Sequence, residues 1–287
     1  MLREYQDDRN TTLRFEDINM DFYNDLTGYL EAHDASSNSI GRFVKDIKAF
    51  MNQTLELELH TNLDFKKKDF VAIKEDVDSI ALSEEELQKI IDVDLSEKHS
   101  SYNLARELFL VGTYTAQRVS DYNNIKARNI SSMPIRVIED NKIVNKEVYL
   151  LTLKQQKTKV CIPIKQELLA ILKKYDFNIP RMPKQKINEY IKEVAKLAGL
   201  TNLVEIKKTK GGKEVTNEVP TYQLITTHTA RRTGATLMYL NGIDVYDIMK
   251  LTGHKKIETI EIYLKVSALA RATLMAKKYS YFGIMKD

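Results

Sequence analysis

Residues that break helices or cross-link chains are scarce in this sequence. Its 287 residues include 10 Gly, 5 Pro and 1 Cys. Gly and Pro both fall below their average usage of about 7% and about 5%. Because few backbone breakers mean few tight turns, the composition argues against a β-sandwich or barrel and favours a mostly helical protein. The single Cys161 excludes a disulfide framework and a Cys-rich zinc site, so a reducing cytoplasm is the expected compartment.

The sequence also lacks the segments that direct a protein into a membrane. Its first ten residues are charged throughout and contain no apolar core of a signal peptide. No apolar run approaches the roughly 20 residues that span a bilayer. We therefore expect a cytoplasmic protein with no membrane partner.

Charge is distributed unevenly along the chain, although the whole carries only +4 at pH 7. Residues 1–80 hold 10 Lys and Arg against 17 Asp and Glu, a net charge of −7. The rest of the chain holds 34 basic and 23 acidic side chains, a net charge of +11. A basic segment attracts polyanions, so the natural candidate partner of this second part is DNA or RNA.

A chain of 287 residues suggests two domains, at about 150 residues per domain. Apolar residues recur at steps of three and four over residues 13–31 and over 39–53, which predicts amphipathic helices of a small helical domain. Directly after residue 53 the apolar residues no longer recur at this helical spacing. We predict a helical domain over residues 1–75, a linker over 76–82 and a second domain over 83–287.

The second domain is predicted to place helices around a small antiparallel β-sheet. Ser83 and Glu86 have the spacing of a capping box at the start of its first helix. Alternating apolar residues within 134–164 predict strands, with a turn at Asp140-Asn141. Helices are predicted over residues 100–114, 166–175, 183–198, 228–240, 244–252 and most of 255–278, and a basic hairpin tip over 207–215. The predicted fold class is mainly α with a small antiparallel β-sheet.

Several common cofactor and metal motifs are missing. The sequence has no G-x-x-x-x-G-K-[ST], no G-x-G-x-x-G and no H-E-x-x-H, so it gives no sign of a P-loop, a dinucleotide site or a zinc protease site. His33, His60 and His99 stand alone in polar surroundings and are expected to be ordinary residues. Carboxylates are plentiful but scattered, which leaves a magnesium nuclease open.

The segment THTARRTG has the features of an anion site at a helix start. Thr227 is the predicted N-cap, and His228 then lies in the first helical turn. Arg231 and Arg232 follow at i+3 and i+4, and both spacings share a face with His228. Unpaired backbone N–H groups at a helix N-terminus attract the same anion. Periodicity does not choose between Arg231 and Arg232.

Other polar side chains lie at the ends of predicted elements. Arg118 directly follows the long apolar helix, and Lys157 lies in a predicted turn between two strands. His254 follows Gly253 at the end of a predicted helix, and Tyr263 lies nine residues beyond it. On one continuous helix His254 and Tyr263 would lie on opposite faces. If they act together, the backbone must bend between them.

Together these residues form an ordered set, and the sequence resembles the tyrosine recombinase family, also called the phage integrase family. TAQRVSD matches the family's TGxR-[IV]-S-[ED] box, QQKTKVCIPI its hairpin lysine, HTARR its HxLRH box and TGHKKIETIEIY its LGH-x8-Y box. The resemblance covers about residues 83–280, the family's catalytic domain. More weakly it covers residues 13–75, which are similar to the family's helical, SAM-like core-binding domain.

Three positions depart from the family's motifs. Ala116 stands where Gly is usual before the arginine, and Ala230 stands where Leu is usual inside the histidine–arginine box. Arg232 replaces the second His of that box. None of these positions is one to which the family assigns chemistry.

The resemblance implies a phosphotransfer site without a metal or any other cofactor. Tyr263 corresponds to the nucleophile, which forms a 3′-phosphotyrosyl bond. Arg118 and Arg231 correspond to the pair that clamps the non-bridging phosphate oxygens, and guanidinium groups stay charged at any working pH. His254 corresponds to a donor to a non-bridging oxygen.

Two further residues correspond to groups that move protons. His228 matches the family's first histidine, which accepts the tyrosine proton or assists its transfer. Lys157 matches the lysine that protonates the leaving 5′ oxygen. Since Lys154 and Lys159 lie in the same tight hairpin, the choice of lysine among the three stays open.

The resemblance also implies the partners. They are double-stranded DNA and three further copies of the chain, in a homo-tetramer on two DNA sites, with accessory DNA-bending or directionality proteins as further candidates. The apolar tail after the nucleophile, ending near Tyr281 and Phe282, is expected to find a groove on a neighbouring copy or on its own chain.

The biological role is open to several interpretations. The HTARR box and the ending of the last motif are more similar to integrases of conjugative transposons and other mobile elements, which favours integration and excision of such an element. The alternatives are a chromosome-dimer resolvase of the Xer type, a type IB topoisomerase with a similar catalytic set, and a DNA-binding regulator that has kept only the fold. The chain begins just ahead of the core-binding pattern, so it is either a short recombinase or a truncated integrase.

Overall fold

Helices make up most of the chain. The computed structural model describes residues 1–75, 79–139, 142–154, 159–264, 266 and 268–278. The helices among these residues are α1 (Leu2–Asp8), α2 (Met20–Ala32), α3 (Ser37–Glu56), α4 (Glu84–Asp92), α5 (Ser100–Thr115), α6 (Val119–Tyr122), α7 (Gln166–Lys174), α8 (Lys184–Leu197), α9 (Thr221–Leu224), α10 (Thr227–Leu240), α11 (Val245–Thr252), α12 (Ile257–Tyr263) and α13 (Ala268–Lys278). In this described part, no helix has the length and apolar character needed to cross a membrane.

The strands form two small sheets. They are β1 (Ile130–Glu139), β2 (Lys142–Lys154), β3 (Lys159–Pro163), β4 (Leu203–Lys210) and β5 (Lys213–Pro220). β1, β2 and β3 are neighbours in one antiparallel sheet, and β4 and β5 form the other. The predicted fold class, mainly α with small antiparallel β-structure, is confirmed.

The chain divides into two compact units. Unit 1 comprises Met1–Asp78 and Val204–Val219, and unit 2 comprises Ser79–Leu203 and Pro220–Asp287. The predicted linker over 76–82 begins in residues 76–78, which lie outside the described residues. The predicted domain boundaries stay a prediction.

Helices α2 and α3 form the core of unit 1. Asn19 and Ser36 are their N-caps, and each side-chain oxygen accepts a hydrogen bond from a backbone N–H in the first turn. Gly41 in α3 permits a close approach of the backbone, since a Cβ there would lie 1.8 Å from the carbonyl oxygen of Ile73. The core between the helices includes Phe22, Leu26, Leu30, Ile40, Val44 and Met51.

His60 fastens the chain that follows α3. Its Nε2 lies 3.0 Å from the carbonyl oxygen of Met51, and its Nδ1 accepts from the backbone N–H of Asn62 at 3.1 Å. The ring stacks on Phe15 with 4.7 Å between ring centroids. His60 is thus a satisfied core residue, as expected for an ordinary histidine.

The β4–β5 hairpin also belongs to unit 1. Gly211 and Gly212 form its two-residue turn, and both have positive φ, as a tight hairpin turn requires. Oε1 of Glu75 accepts hydrogen bonds from the backbone N–H and the hydroxyl of Thr209, both at 2.8 Å. Lys210 forms a salt bridge with Asp34 at 3.2 Å. The hairpin is therefore bound to the middle and to the C-terminal end of the first segment of unit 1.

Helix α5 runs through the core of unit 2, where it packs against α8 and α10. The backbones of α5 and α10 approach closely at Gly234, since a Cβ there would lie 2.0 Å from the carbonyl oxygen of Thr113. Ser83 and Glu86 form the predicted capping box of α4. One face of the three-stranded sheet contributes Leu151, Leu153, Val160 and Ile162 to the same core.

Two details of the predicted helices are wrong. The N-cap of α10 is Thr226, whose hydroxyl accepts from the backbone N–H of His228 and of Thr229, so Thr227 is already helical. The predicted helix over most of 255–278 is two helices, α12 and α13, because Leu264 leaves the helical conformation with ψ of 91°. The predicted turn at residues 140–141 and the tail over 279–287 lie outside the described residues.

Candidate active site

The C-terminal end of α11 is where several of the predicted catalytic residues meet. α11 ends at Thr252, and Gly253 then adopts a left-handed conformation with φ of 73°. The last carbonyls of a helix have no partner within it. Here two of them, on Leu251 and Thr252, accept hydrogen bonds from the side chains of Gln117 and Arg231.

Arg231 projects from the first half of α10 and is completely buried, with 0% exposure. Its Nη2 donates to the carbonyl oxygen of Thr252 at 2.7 Å and to Nε2 of His254 at 3.2 Å. The guanidinium therefore caps α11 at the negative end of the helix dipole. The structure brings together two predicted residues, Arg231 and His254.

His254 is half-buried and follows the turn at Gly253. Its backbone N–H donates to the carbonyl oxygen of Met249 at 3.0 Å. Its Nδ1 lies 2.7 Å from the hydroxyl of Thr252. With Arg231 at one ring nitrogen and Thr252 at the other, the orientation of the imidazole is fixed.

A buried glutamine ties the turn of Arg118 to α11. Gln117 is 0% exposed, and its Nε2 donates to the carbonyl oxygens of Leu251 at 2.7 Å and Thr115 at 3.0 Å. Arg118 is the next residue, the N-cap of α6, and its side chain is exposed. This amide thus fixes where the Arg118 backbone lies relative to the end of α11.

Ala116 ends α5 in the left-handed region, with φ of 51°. That conformation costs an L-residue about 1–2 kcal/mol, which explains why glycine is usual at this position of the motif. The methyl group is buried in a small core that also includes Ala235, Ile248 and Ile260. Ile260 lies on α12, so this core also holds α12 beside the end of α11.

His228 lies in the first turn of α10, and its ring reaches the surface. Desolvation by the surrounding protein, the largest cause, and the positive charges of Arg232, Arg231, Lys184 and Arg118 together lower the pKa of His228 to about 4. His228 is therefore neutral at pH 7 and able to accept a proton.

His254 is also neutral at pH 7, for similar reasons. Burial, the largest cause, and the charges of Arg231 and Arg118 with the nearby His228 together lower the pKa of His254 to about 4. A surface with several fixed cations beside two neutral imidazoles attracts an anion such as a phosphodiester. A bound anion raises the pKa of both histidines. Among the described residues, no group of three or more His, Cys, Asp or Glu is placed to hold a metal ion.

Two predicted residues lie partly or wholly outside the described part of the chain. Lys157 is within residues 155–158, which the structure does not describe. Its neighbours Lys154 and Lys159 are exposed and are register partners across β2 and β3. Tyr263 is the last residue of α12, and the structure describes its backbone but not its side chain.

Sequence reasoning missed Gln117 and Thr252 as parts of the site. Both lie inside recognised boxes, TAQR and TGH, as polar side chains one residue before Arg118 and two residues before His254. That proximity in sequence is the signal that would have found them. Their partners, Leu251 for Gln117 and His254 for Thr252, become visible only in the structure.

Family models match nearly the whole chain. One, described as the phage integrase family, matches residues 81–269, and another, described as the phage integrase SAM-like domain, matches residues 1–70. The chain belongs to the phage integrase family. The family is that of the tyrosine recombinases, so the predicted family and its enzyme class, DNA strand cleavage and rejoining, are confirmed.

Solved structures resemble this phage integrase in fold. The Tn1549 transposon integrase, in complex with circular intermediate DNA, is 12% identical with a TM-score of 0.60, over 95% of this chain and 90% of that one. A lambda integrase dimer bound to a COC′ core site is 20% identical with a TM-score of 0.59, over 87% and 81%. The XerH recombinase match has a TM-score of 0.46 and 15% identity and spans 68% of this chain and 52% of XerH. A search of curated proteins found no match.

Proposed function

We propose that this phage integrase is a site-specific recombinase that acts on double-stranded DNA through a 3′-phosphotyrosyl intermediate. The observation that carries the proposal is the convergence of the Arg118 turn, Arg231 and His254 at the C-terminal end of α11. Attack on a phosphodiester builds negative charge on its non-bridging oxygens. Preorganised cationic donors stabilise that charge, and Arg118 and Arg231 are suited to this task.

The cleavage step transfers a phosphodiester from DNA to tyrosine. The oxygen of Tyr263 attacks phosphorus and forms a new O–P bond, while the bond from phosphorus to the 5′ oxygen breaks. Since a free tyrosine has a pKa of about 10, it needs a base, and the neutral His228 accepts its proton. Lys157 gives its proton to the leaving 5′ oxygen. Because the new bond conserves the phosphodiester, a 5′ hydroxyl of another strand can reverse the step without ATP.

The placement of α12 supports Tyr263 as the nucleophile. Tyr263 lies three residues after Ile260, whose side chain is buried together with Ala116 and Ile248. Ala116 precedes the Arg118 turn, and Ile248 lies on α11. The end of α12 is therefore held close to the elements that carry the arginine and histidine.

We propose integration and excision of a mobile element as the biological role. The HTARR box and the likeness in fold to the Tn1549 transposon integrase support it. A chromosome-dimer resolvase of the Xer type is the alternative. Sequencing the DNA trapped in the covalent complex distinguishes the two, since element ends indicate an integrase and a chromosomal site indicates a resolvase.

We also propose that four copies act on two DNA sites, with accessory DNA-bending or directionality proteins. Exchange between two duplexes requires four cleavages, and each protomer has one Tyr263. Sizing of the complex on paired sites by light scattering tests this number. A complex that stays at one protomer per duplex while strands are exchanged would contradict it.

Trapping on suicide DNA tests the chemistry itself. With a nicked substrate that loses the short strand after cleavage, the wild type should form a covalent protein–DNA adduct. Tyr263→Phe should bind the same DNA and form none. Tyr246→Phe, which removes the hydroxyl of an exposed tyrosine on α11, is the matched control and should form the adduct as the wild type does.

The products of the same assay separate the competing functions. An adduct in the Tyr263→Phe variant would remove Tyr263 from the mechanism. Relaxation of supercoiled DNA by a monomer, without sequence preference, would indicate a type IB topoisomerase. DNA binding with no adduct from the wild type would indicate a DNA-binding regulator.

A further inference from the structure

The hydroxyl of Thr252 is placed between a helix carbonyl and the imidazole of His254. Thr252 is 0% exposed and is the last residue of α11. Its Oγ1 lies 2.6 Å from the carbonyl oxygen of Ile248 and 2.7 Å from Nδ1 of His254. A longer contact of 3.3 Å reaches the carbonyl oxygen of Met249. A hydroxyl has one proton to donate, so the direction of each bond follows from its neighbours.

Arg231 decides which nitrogen of His254 carries the proton. A guanidinium has only donors. At 3.2 Å from Nη2 of Arg231, the Nε2 of His254 must therefore be the acceptor. A neutral imidazole with an accepting Nε2 has its proton on Nδ1. Nδ1 then donates to the hydroxyl oxygen of Thr252.

The hydroxyl proton of Thr252 has a matching acceptor. Since its oxygen receives the proton from Nδ1, it donates to a carbonyl oxygen, and that of Ile248 is closest. The chain of hydrogen bonds runs from Arg231 through His254 and Thr252 to the α11 backbone. Every link has one donor and one acceptor.

We propose that Thr252 is a positioning residue that accepts the Nδ1–H of His254 and so holds the ring in the orientation in which Arg231 sets the tautomer. The motif that this segment resembles has leucine at the same position, and leucine has no atom that accepts a hydrogen bond. In this chain the threonine hydroxyl accepts from Nδ1 in both the neutral and the protonated ring. It therefore stabilises the imidazolium. In that state Nε2 no longer accepts from Arg231, and its proton is available to a phosphate oxygen.

The ring is neutral before DNA binds, because burial and the charges of Arg231 and Arg118, with the nearby His228, lower the pKa of His254 to about 4. A phosphate between the arginines opposes these charges and favours the second proton. Donation from Nε2 then requires that Nδ1–H keep its partner. Thr252 supplies that partner on the side of the ring away from Arg231.

Nitrogen-15 NMR of the histidine ring tests the tautomer without reference to activity. In the DNA-free wild type at neutral pH, Nε2 of His254 should have the shift of an unprotonated nitrogen and Nδ1 that of a protonated one. Thr252→Val, close in shape but with no hydroxyl, should keep the proton on Nδ1, because Arg231 still faces Nε2, but should change the shift of Nδ1, whose N–H has lost its acceptor. Thr252→Ser should restore the wild-type pattern. A wild-type ring with its proton on Nε2 would overturn the proposal, and this measurement needs no variant to fold.

Cleavage of suicide DNA tests whether Thr252 assists the chemistry through His254, and this second experiment rests on the proposed function. Loss of one hydrogen bond to a charged ring should lower the cleavage rate of Thr252→Val by about tenfold or more, with DNA affinity unchanged. Because the imidazolium of His254 is less stable without the hydroxyl, the cleavage rate of Thr252→Val should fall with rising pH at a lower midpoint than in the wild type, and Thr252→Ser should recover the wild-type profile. A Thr252→Val profile equal to that of the wild type would overturn the role. If the wild type forms no adduct while the NMR pattern holds, the proposed function fails and the tautomer assignment stands.

Discussion

Arg231 holds two parts of the site with one nitrogen, the backbone at the end of α11 and the ring of His254. Nη2 donates to the carbonyl oxygen that ends α11 and to the ring of His254. A charge with no exposed surface persists because it lies at the negative end of a helix dipole and is hydrogen-bonded there. Removing the side chain should therefore disturb both the end of α11 and the chemistry.

Substitution of the two neighbouring arginines separates these effects. Arg231→Ala should lower the cleavage rate by at least about 100-fold, as for the loss of a preorganised donor. It should also lower the free energy of unfolding by about 1–3 kcal/mol, because the buried carbonyl of Thr252 loses its donor. Arg232→Ala should lower cleavage much less. Single-turnover cleavage and urea unfolding measure the two quantities.

The same two variants can also contradict the assignment of Arg231 to the phosphate. Equal losses of cleavage in both variants, or a larger loss in Arg232→Ala, would show that the helix presents the other guanidinium to phosphate. If the cleavage rate of Arg231→Ala falls only in proportion to the fraction of unfolded protein, Arg231 has a structural role alone.

The two neutral histidines make stability depend on pH. The pKa of each is about 4 in the folded protein and about 6.5 in an unfolded chain. Between these values the unfolded chain binds more protons, so the free energy of unfolding should decrease as pH falls from about 6.5 to about 4. Urea unfolding across that range measures it.

Glutamine substitutions identify the histidines responsible. His228→Gln with His254→Gln should flatten the decrease in stability in this pH range, because neither group can then take up a proton. An unchanged slope in the double variant would contradict the low pKa values.

At the scale of elements, close contact between α5 and α10 depends on a missing side chain. A Cβ on Gly234 would lie 2.0 Å from the backbone oxygen of Thr113 and 3.2 Å from the Cβ of Ala116. Backbone atoms cannot move aside as a flexible side chain can. The two helices must separate, and α10 carries Arg231 while the turn after α5 carries Arg118.

Gly234→Ala should therefore lower the free energy of unfolding by about 1–3 kcal/mol or more. Gly28→Ala is the control, because Gly28 lies inside α2 with no atom within 4 Å of the added Cβ. It should raise the free energy of unfolding by about 0.5–1 kcal/mol, since alanine favours a helix. Urea unfolding compares them. A Gly234→Ala variant as stable as the wild type would mean that α5 and α10 are less closely packed.

The sequence predicted the elements better than the contacts between them. Local patterns suffice for the Ser83 capping box and the Gly211-Gly212 turn, because their partners lie within a few residues. The break after α12 was not predicted, since apolar residues continue through it at helical spacing. The hydrogen bond from Thr209 to Glu75 joins residues 134 apart in sequence, and no local pattern indicates it.

The same distinction applies to the site. The motifs predict Arg231 and His254, because a charged residue at a helix start and a histidine after glycine are visible in sequence. The contact between them depends on how α10 meets the end of α11, which side-chain packing decides. Gln117 acts through a carbonyl 134 residues away in the sequence, and the contact of Thr252 with His254 depends on the turn at Gly253, so neither role follows from residue type.

At the scale of the whole molecule, unit 1 is made of two separate stretches of sequence. The hairpin within Val204–Val219 joins the first 78 residues, and the chain of unit 2 runs between and beyond them. During synthesis the first stretch leaves the ribosome long before the hairpin exists. The hydrogen bonds of Glu75 with Thr209 and of Asp34 with Lys210 cannot form until the hairpin has been synthesised, more than a hundred residues later. The N-terminal helices can thus form early, but unit 1 becomes complete only after residues 79–203 of unit 2 have been translated.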